Sequence, residues 1–88
     1  MQNGVTIMID YLEDLKILIE KQFGIAAENI EEDSSLEADL NITELDLEDL
    51  IETIQDKYQI QIPSQKVSTF KKVSDIVSYL FENIDNAG

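Results

Sequence analysis

Apolar residues recur at intervals of three and four in three separate stretches of this chain, and that spacing strongly restricts the fold. Tyr11, Leu12, Leu15, Leu18, Ile19 and Phe23 form the first set. Leu47, Leu50, Ile51, Ile54 and Tyr58 form the second, and Val73, Ile76, Val77, Leu80 and Ile84 the third. A period near 3.6 puts each set on one face of a helix. The spacing therefore predicts helices over Asp10–Phe23, Glu44–Lys57 and Lys72–Ile84, with a short one over Ser64–Phe70 that turns Val67 and Phe70 inward. Residues 58–63, "YQIQIP", alternate apolar and polar as a strand would. The run is short and Pro63 closes it, so it reads as an extended connector. The expectation is an all-α four-helix bundle with a long first loop and a short third helix.

Local signals mark the helix ends. Asp10 is a good N-cap with Glu13 three residues on, the spacing of a capping box. Gly24 suits a helix stop. Thr43 and Asp46 repeat the capping-box spacing, with Asp in place of Glu. Between Gly24 and Thr43 the isolated apolar residues Ile25, Ile30, Leu36 and Leu40 predict an ordered loop pinned to the core, with a helical turn over Ala26–Ile30. The division expected is a flexible N-terminal extension (residues 1–9), one helical domain (10–84) and a frayed tail (85–88).

With 88 residues, no Cys and no His, the chain lacks disulfide staples, a Cys/His zinc site, thiol nucleophiles and imidazole catalysis. The net charge of −13 disfavours nucleic acid and anionic membranes and favours basic protein surfaces. No apolar run has the length of a membrane span. The residues "MQNGVTIMID" carry no base before their apolar patch, so no signal peptide is expected and the cytoplasm is the expected location. A monomer is expected.

The charge is unevenly spread. Twelve acids lie between Glu28 and Asp56, and all six Lys lie outside that window. On the wheel of the second helix the apolar set fills an arc of roughly 100°. Glu44, Glu48, Asp49, Glu52 and Asp56 fill the opposite arc, and Leu45 falls among them. A solvated face that keeps a small protein soluble explains the acids alone. A docking surface for a basic partner, made of Glu44, Leu45, Glu48, Asp49, Glu52 and Asp56, is the other reading; Leu45 is then its apolar anchor, and otherwise a surface accident, since a single exposed leucine needs no explanation. Solvated carboxylates are not an acid–base pair unless their surroundings separate their pKa values, so no catalytic residue is expected and the chain does not read as an enzyme.

From Asp10 to Ile84 the chain resembles the acyl carrier proteins. The resemblance is carried by "FGI" closing the first helix, "SSLEADL" leading into the second, "LEDLIETIQDKYQIQIP" along it and "KVSDIVSYL" in the last. It implies an acidic helical bundle that works with enzymes of fatty-acid or polyketide synthesis. It also implies an Asp-Ser-Leu motif opening the second helix, whose Ser hydroxyl accepts 4′-phosphopantetheine. Here those three positions read Thr43-Glu44-Leu45. A carboxylate has no hydroxyl with which to form the phosphodiester. Thr43 stands one residue early, and Ser34 and Ser35 about nine residues early. The expectation is therefore an interaction module with no cofactor, in which Glu44 either complements the helix dipole or stands in for the phosphodiester charge. Glu48 and Glu52 also stand where the family often has an apolar residue. The alternatives are a diverged or engineered acyl carrier protein and a Ca²⁺-binding helix-loop-helix protein. The last rests on Asp33, Ser35, Glu37, Asp39, Asn41 and Glu44 at EF-hand spacing, but Ala38 occupies the position that wants Gly. No metal site is expected.

Overall fold

The computed structural model describes residues 10–85, and within them the expected all-α bundle is what forms. Helix α1 spans Tyr11–Phe23, α2 Glu44–Tyr58, α3 Ser64–Val67 and α4 Val73–Leu80. The flexible extension expected over residues 1–9, and the tail after Asp85, lie outside the described residues.

Each apolar stripe goes where its period sends it. Tyr11, Leu15 and Ile19 from α1, Leu47, Leu50, Ile51 and Ile54 from α2, and Val73, Ile76 and Leu80 from α4 are buried together. Burying each large aliphatic side chain contributes about 1.5–3 kcal/mol, so this cluster is the main support of a small domain. Tyr58 adds a polar tie at the far end of α2. Its ring meets Tyr11 edge-on at 5.6 Å, and its hydroxyl donates to Asp14 Oδ2 at 2.7 Å. Desolvation, reinforced by that carboxylate, holds the phenol well above its ordinary pKa, so it remains a hydrogen-bond donor.

The helix ends follow local chemistry. Asp10 accepts from the Glu13 amide at 3.2 Å, while Glu13 turns its own carboxylate to Lys16 at 3.5 Å, so the first capping box is half made. The second is complete: Thr43 Oγ1 accepts from the Asp46 amide and Asp46 Oδ2 from the Thr43 amide, both at 3.2 Å. Gly24 ends α1 at φ 74° with nothing within 4 Å of the position a Cβ would take. Gly24→Ala should therefore cost only the left-handed backbone penalty, about 1–2 kcal/mol, read as a fall in urea midpoint with an unchanged m-value. A loss above about 4 kcal/mol would require a steric clash that this geometry lacks.

The loop is ordered as expected. It contains a 3₁₀ turn over Ala27–Asn29, and Ile30, Leu36, Leu40 and Ile42 are buried. Its middle does something the sequence does not announce. Helix α4 has no capping side chain at Lys72, and the loop supplies the acceptors instead. Ser34 O accepts from the Val73 amide at 3.1 Å and Glu32 O from Ser74 at 2.9 Å. The Leu36 amide donates to Lys71 O at 2.9 Å, and Asp75 Oδ2 gathers the amides of Lys71 and Lys72. The loop thus satisfies donors that a helix start leaves orphaned.

Two helix boundaries need correction. Helix α3 stops at Val67 rather than Phe70, because Ser68 and Thr69 turn their hydroxyls back onto Gln65 O at 2.8 Å and Lys66 O at 2.6 Å. Phe70 still reaches the core. The last helix is regular only over Val73–Leu80 and continues as a wider π turn through Asp85. There the Asn83 side-chain amide competes for Tyr79 O, the acceptor an α-helix would offer to the Asn83 backbone. Val77 and Ile84 are only partly buried.

Candidate functional site

The phase of α2 is set by its buried arc, and the rest of the site follows from it. With Leu47, Leu50, Ile51 and Ile54 inside, the opposite arc must face solvent. Leu45 is 75% exposed, the most exposed large apolar side chain among the described residues. Glu44, Glu48, Asp49, Glu52 and Asp56 are exposed around it.

Among the described residues none of these five carboxylates is in an ion pair. Among the described residues the only ion pair is Lys16–Glu13 on α1. Lys57, the one base on α2, lies over the Tyr58 ring at 5.6 Å from its centroid. Five unpaired negative charges on one helical surface repel one another, so the arrangement lowers stability while projecting a field toward a basic approach.

The six residues do not form one undivided surface. Glu44 and Glu48, one turn apart, open onto a groove of about 420 Å³ between the start of α2 and the segment that contains α3. Buried Leu36, Ile42, Leu47 and Phe70 and half-buried Val67 line it, and Glu37 and Lys71 join the two α2 acids at its exposed edge. Leu45 and Asp49 do not line this groove. Glu52 and Asp56 border a shallower depression at the other end of the helix, with Gln55 and Gln59. The sequence pattern puts Val67 and Phe70 in the core and gives Lys71 no role. The signal for their part in the groove was weak, since it depends on where a four-residue helix comes to rest.

The hydroxyls nearest the start of α2 are engaged locally. Thr43 Oγ1 caps the helix, and Ser35 Oγ accepts from the Ala38 amide at 3.0 Å. Ser34 is buried, with its Oγ accepting from the Glu31 amide at 2.9 Å. Glu44 is the first residue of α2 and offers only carboxylate oxygens.

The residues at EF-hand spacing do not converge. Asp39 Oδ2 accepts from the Ser35 amide at 2.7 Å, and the Ile42 amide bonds back to Leu36 O at 2.8 Å. The loop folds inward on Leu36, Leu40 and Ile42 rather than around a cation. Among the described residues no group of three acidic side chains is close enough to hold a metal ion. No described helix is long and apolar enough to cross a membrane.

Comparison with known proteins adds a family to this geometry. The family model described as a phosphopantetheine attachment site matches residues 13–80. The acyl carrier protein of Chlamydia felis is 35% identical over 68 residues, which covers 77% of this chain and 87% of that protein. That of Chlamydia trachomatis serovar L2 is 34% identical over 71 residues, 81% of this chain and 92% of its own length. The acyl carrier protein of Helicobacter hepaticus is 29% identical over 75 residues, 85% and 99% of the two chains.

Proposed function

We propose that this chain, which belongs to the phosphopantetheine attachment site family, is an acidic interaction module that docks basic surfaces of acyl-synthesis enzymes and carries no phosphopantetheine. Members of the family are carriers rather than enzymes. The partner-facing residues are Glu44, Leu45, Glu48, Asp49, Glu52 and Asp56.

The observation that carries the reading is Leu45. An apolar side chain 75% exposed amid carboxylates that have no ion pair among the described residues suits a docking surface, with charge to steer and a leucine to anchor. The cofactor half of the proposal rests on the donor set. The family's group needs a hydroxyl at the start of α2, and Glu44 has none. Thr43 offers one, but it serves as the cap and stands one residue early. The residues present do not fit the group. Glu44 instead supplies permanent negative charge near where a phosphodiester would sit, together with a favourable interaction with the helix dipole.

The test uses a panel of purified acyl-synthesis enzymes and association kinetics at low and high salt. Glu48→Lys with Glu52→Lys should lower the on-rate by about tenfold or more at low salt, with the difference shrinking as salt rises. Leu45→Ala should leave the on-rate alone and raise the off-rate by about tenfold, the equivalent of ~1.4 kcal/mol of lost apolar contact. Binding indifferent to salt and to both variants would make the acidic face a solubility device only. The names of the relatives favour a second reading, a diverged carrier that still bears an acyl group. An intact-mass measurement after enzymatic loading separates the two.

A further inference from the structure

We infer that Lys66, Lys71 and Lys72, around the end of α3, form a second contact of opposite sign, which takes carboxylates of the enzyme that docks on α2 and sets that enzyme's orientation. The inference rests on the docking reading and adds a requirement to it: the enzyme must be acidic beside its basic patch.

The charge pattern changes sign at the end of α2. Residues 57–72 hold four of the six lysines and no Asp or Glu, directly after the window of twelve acids without a base. A surface built only for solubility intersperses the two signs. Nor are these bases neutralised at home. Lys66, Lys71 and Lys72 are exposed, and among the described residues none of them is in an ion pair, although the chain has 19 acids. The next carboxylate along the chain, Asp75, turns its Oδ2 to the backbone amides of Lys71 and Lys72 at 2.8 and 2.9 Å. The backbone that presents the lysines is held in place. Lys71 O accepts from the Leu36 amide at 2.9 Å, and the hydroxyls of Ser68 and Thr69 donate to Gln65 O and Lys66 O.

Placement makes this segment part of what a docked enzyme meets. Lys71 lines the same groove as Glu44 and Glu48, so a protein that covers the start of α2 covers Lys71 as well. Lys66 borders a second hollow, shared with Ser78 and Tyr79 of α4, and Phe70 lines both. A uniformly basic surface laid over the groove would meet Lys71 with like charge, whereas a carboxylate there turns repulsion into attraction. The acids of α2 alone form a stripe of one sign, which attracts a basic patch in either direction along the helix. A positive pole beside the stripe removes that degeneracy, because charge complementarity then fixes register. A nucleic acid or an anionic membrane would meet the twelve acids along with the lysines and be repelled. A protein already held at α2 can bring a carboxylate to them.

The test is association kinetics of the whole chain with the panel of acyl-synthesis enzymes at one salt concentration. Lys66→Glu with Lys71→Glu reverses the segment, and Lys16→Glu with Lys21→Glu makes the same change in net charge on α1. All four side chains lie outside the buried core, and far-UV circular dichroism checks that both variants fold. If only the acidity of the chain mattered, both variants would bind basic enzymes faster and at least as tightly, because both are more acidic. The lysine contact gives the opposite sign for one of them. Lys66→Glu with Lys71→Glu should raise the off-rate by about tenfold or more, since a carboxylate then faces a carboxylate. The α1 variant should keep the off-rate of the unaltered chain. Lys66→Gln with Lys71→Gln, which removes the charge without reversing it, should give a smaller rise. An off-rate unchanged or lowered in the segment variants, or raised equally in the α1 variant, would overturn the inference. Either result, found while Glu48→Lys with Glu52→Lys still slows association, removes the lysine contact alone. Association indifferent to salt and to that reversal is the failure of the docking reading, and the inference falls with it.

Discussion

Incubated with CoA and a promiscuous phosphopantetheinyl transferase, the chain should keep its unmodified intact mass. The effect expected is all or none, because it turns on whether a hydroxyl is available. Glu44 opens α2 with a carboxylate, and the Thr43 hydroxyl beside it accepts the Asp46 amide at 3.2 Å. Restoring the family motif should reverse the outcome. In Glu44→Ser with Thr43→Asp, the aspartate keeps a good N-cap and the serine presents a free hydroxyl on the first turn. That double variant should accept one phosphopantetheine per chain. A stoichiometric adduct on the unaltered chain, mapped to Thr43 or Ser35, would overturn the cofactor-free reading and leave a carrier with a displaced acceptor. A folded double variant that stays unmodified would mean that the acceptor position has been misaligned.

Truncating the core face of α2 should be the most damaging change to stability. Leu50 and Ile54 are both 0% exposed and sit one turn apart in the centre of the bundle. Leu50→Ala or Ile54→Ala should each cost about 2–5 kcal/mol, the transfer term plus the cavity left behind. Native domains hold only about 5–15 kcal/mol in total, and small ones lie toward the low end. The net charge of −13 erodes that margin further through self-repulsion. Either variant should therefore be partly or wholly unfolded at room temperature, visible by far-UV circular dichroism and urea titration. Losses below about 0.5 kcal/mol at both sites are surface behaviour and would mean that the helical phase of α2 is wrong.

That phase also explains why so much of the outer face is legible in the sequence. A helix has one buried arc, and Leu47, Leu50, Ile51 and Ile54 name it. Once they point inward, Leu45 and the carboxylates beside it have nowhere to go but outward. The capping box at Thr43 and Asp46 was legible for a related reason, since both partners lie within one turn of each other. The end of α3 was not. It depends on Ser68 and Thr69 choosing their own carbonyls over continuing the helix, and nothing in the apolar pattern weighs that competition. Val77 read as core because it has the right spacing, yet in space it sits at the margin of the bundle.

The sequence by itself determined the number and phase of the helices, the order in the loop and the bare acidic face, because each depends on contacts between residues a turn or two apart or on simple exclusion from the core. Only the tertiary structure decided how the start of α4 is capped and what Glu44 faces. Ser34 and Glu32 meet Val73 and Ser74 across about forty residues of chain, and no local pattern marks either segment for the other. The groove beside Glu44 exists because the end of α3 and the residues after it come to line the same hollow as the start of α2, bringing Val67, Phe70 and Lys71 beside a carboxylate more than twenty residues away. Backbone hydrogen bonds and side-chain period are local and leave a trace in the sequence. Which two surfaces come to rest against each other is settled by the shape of the whole core.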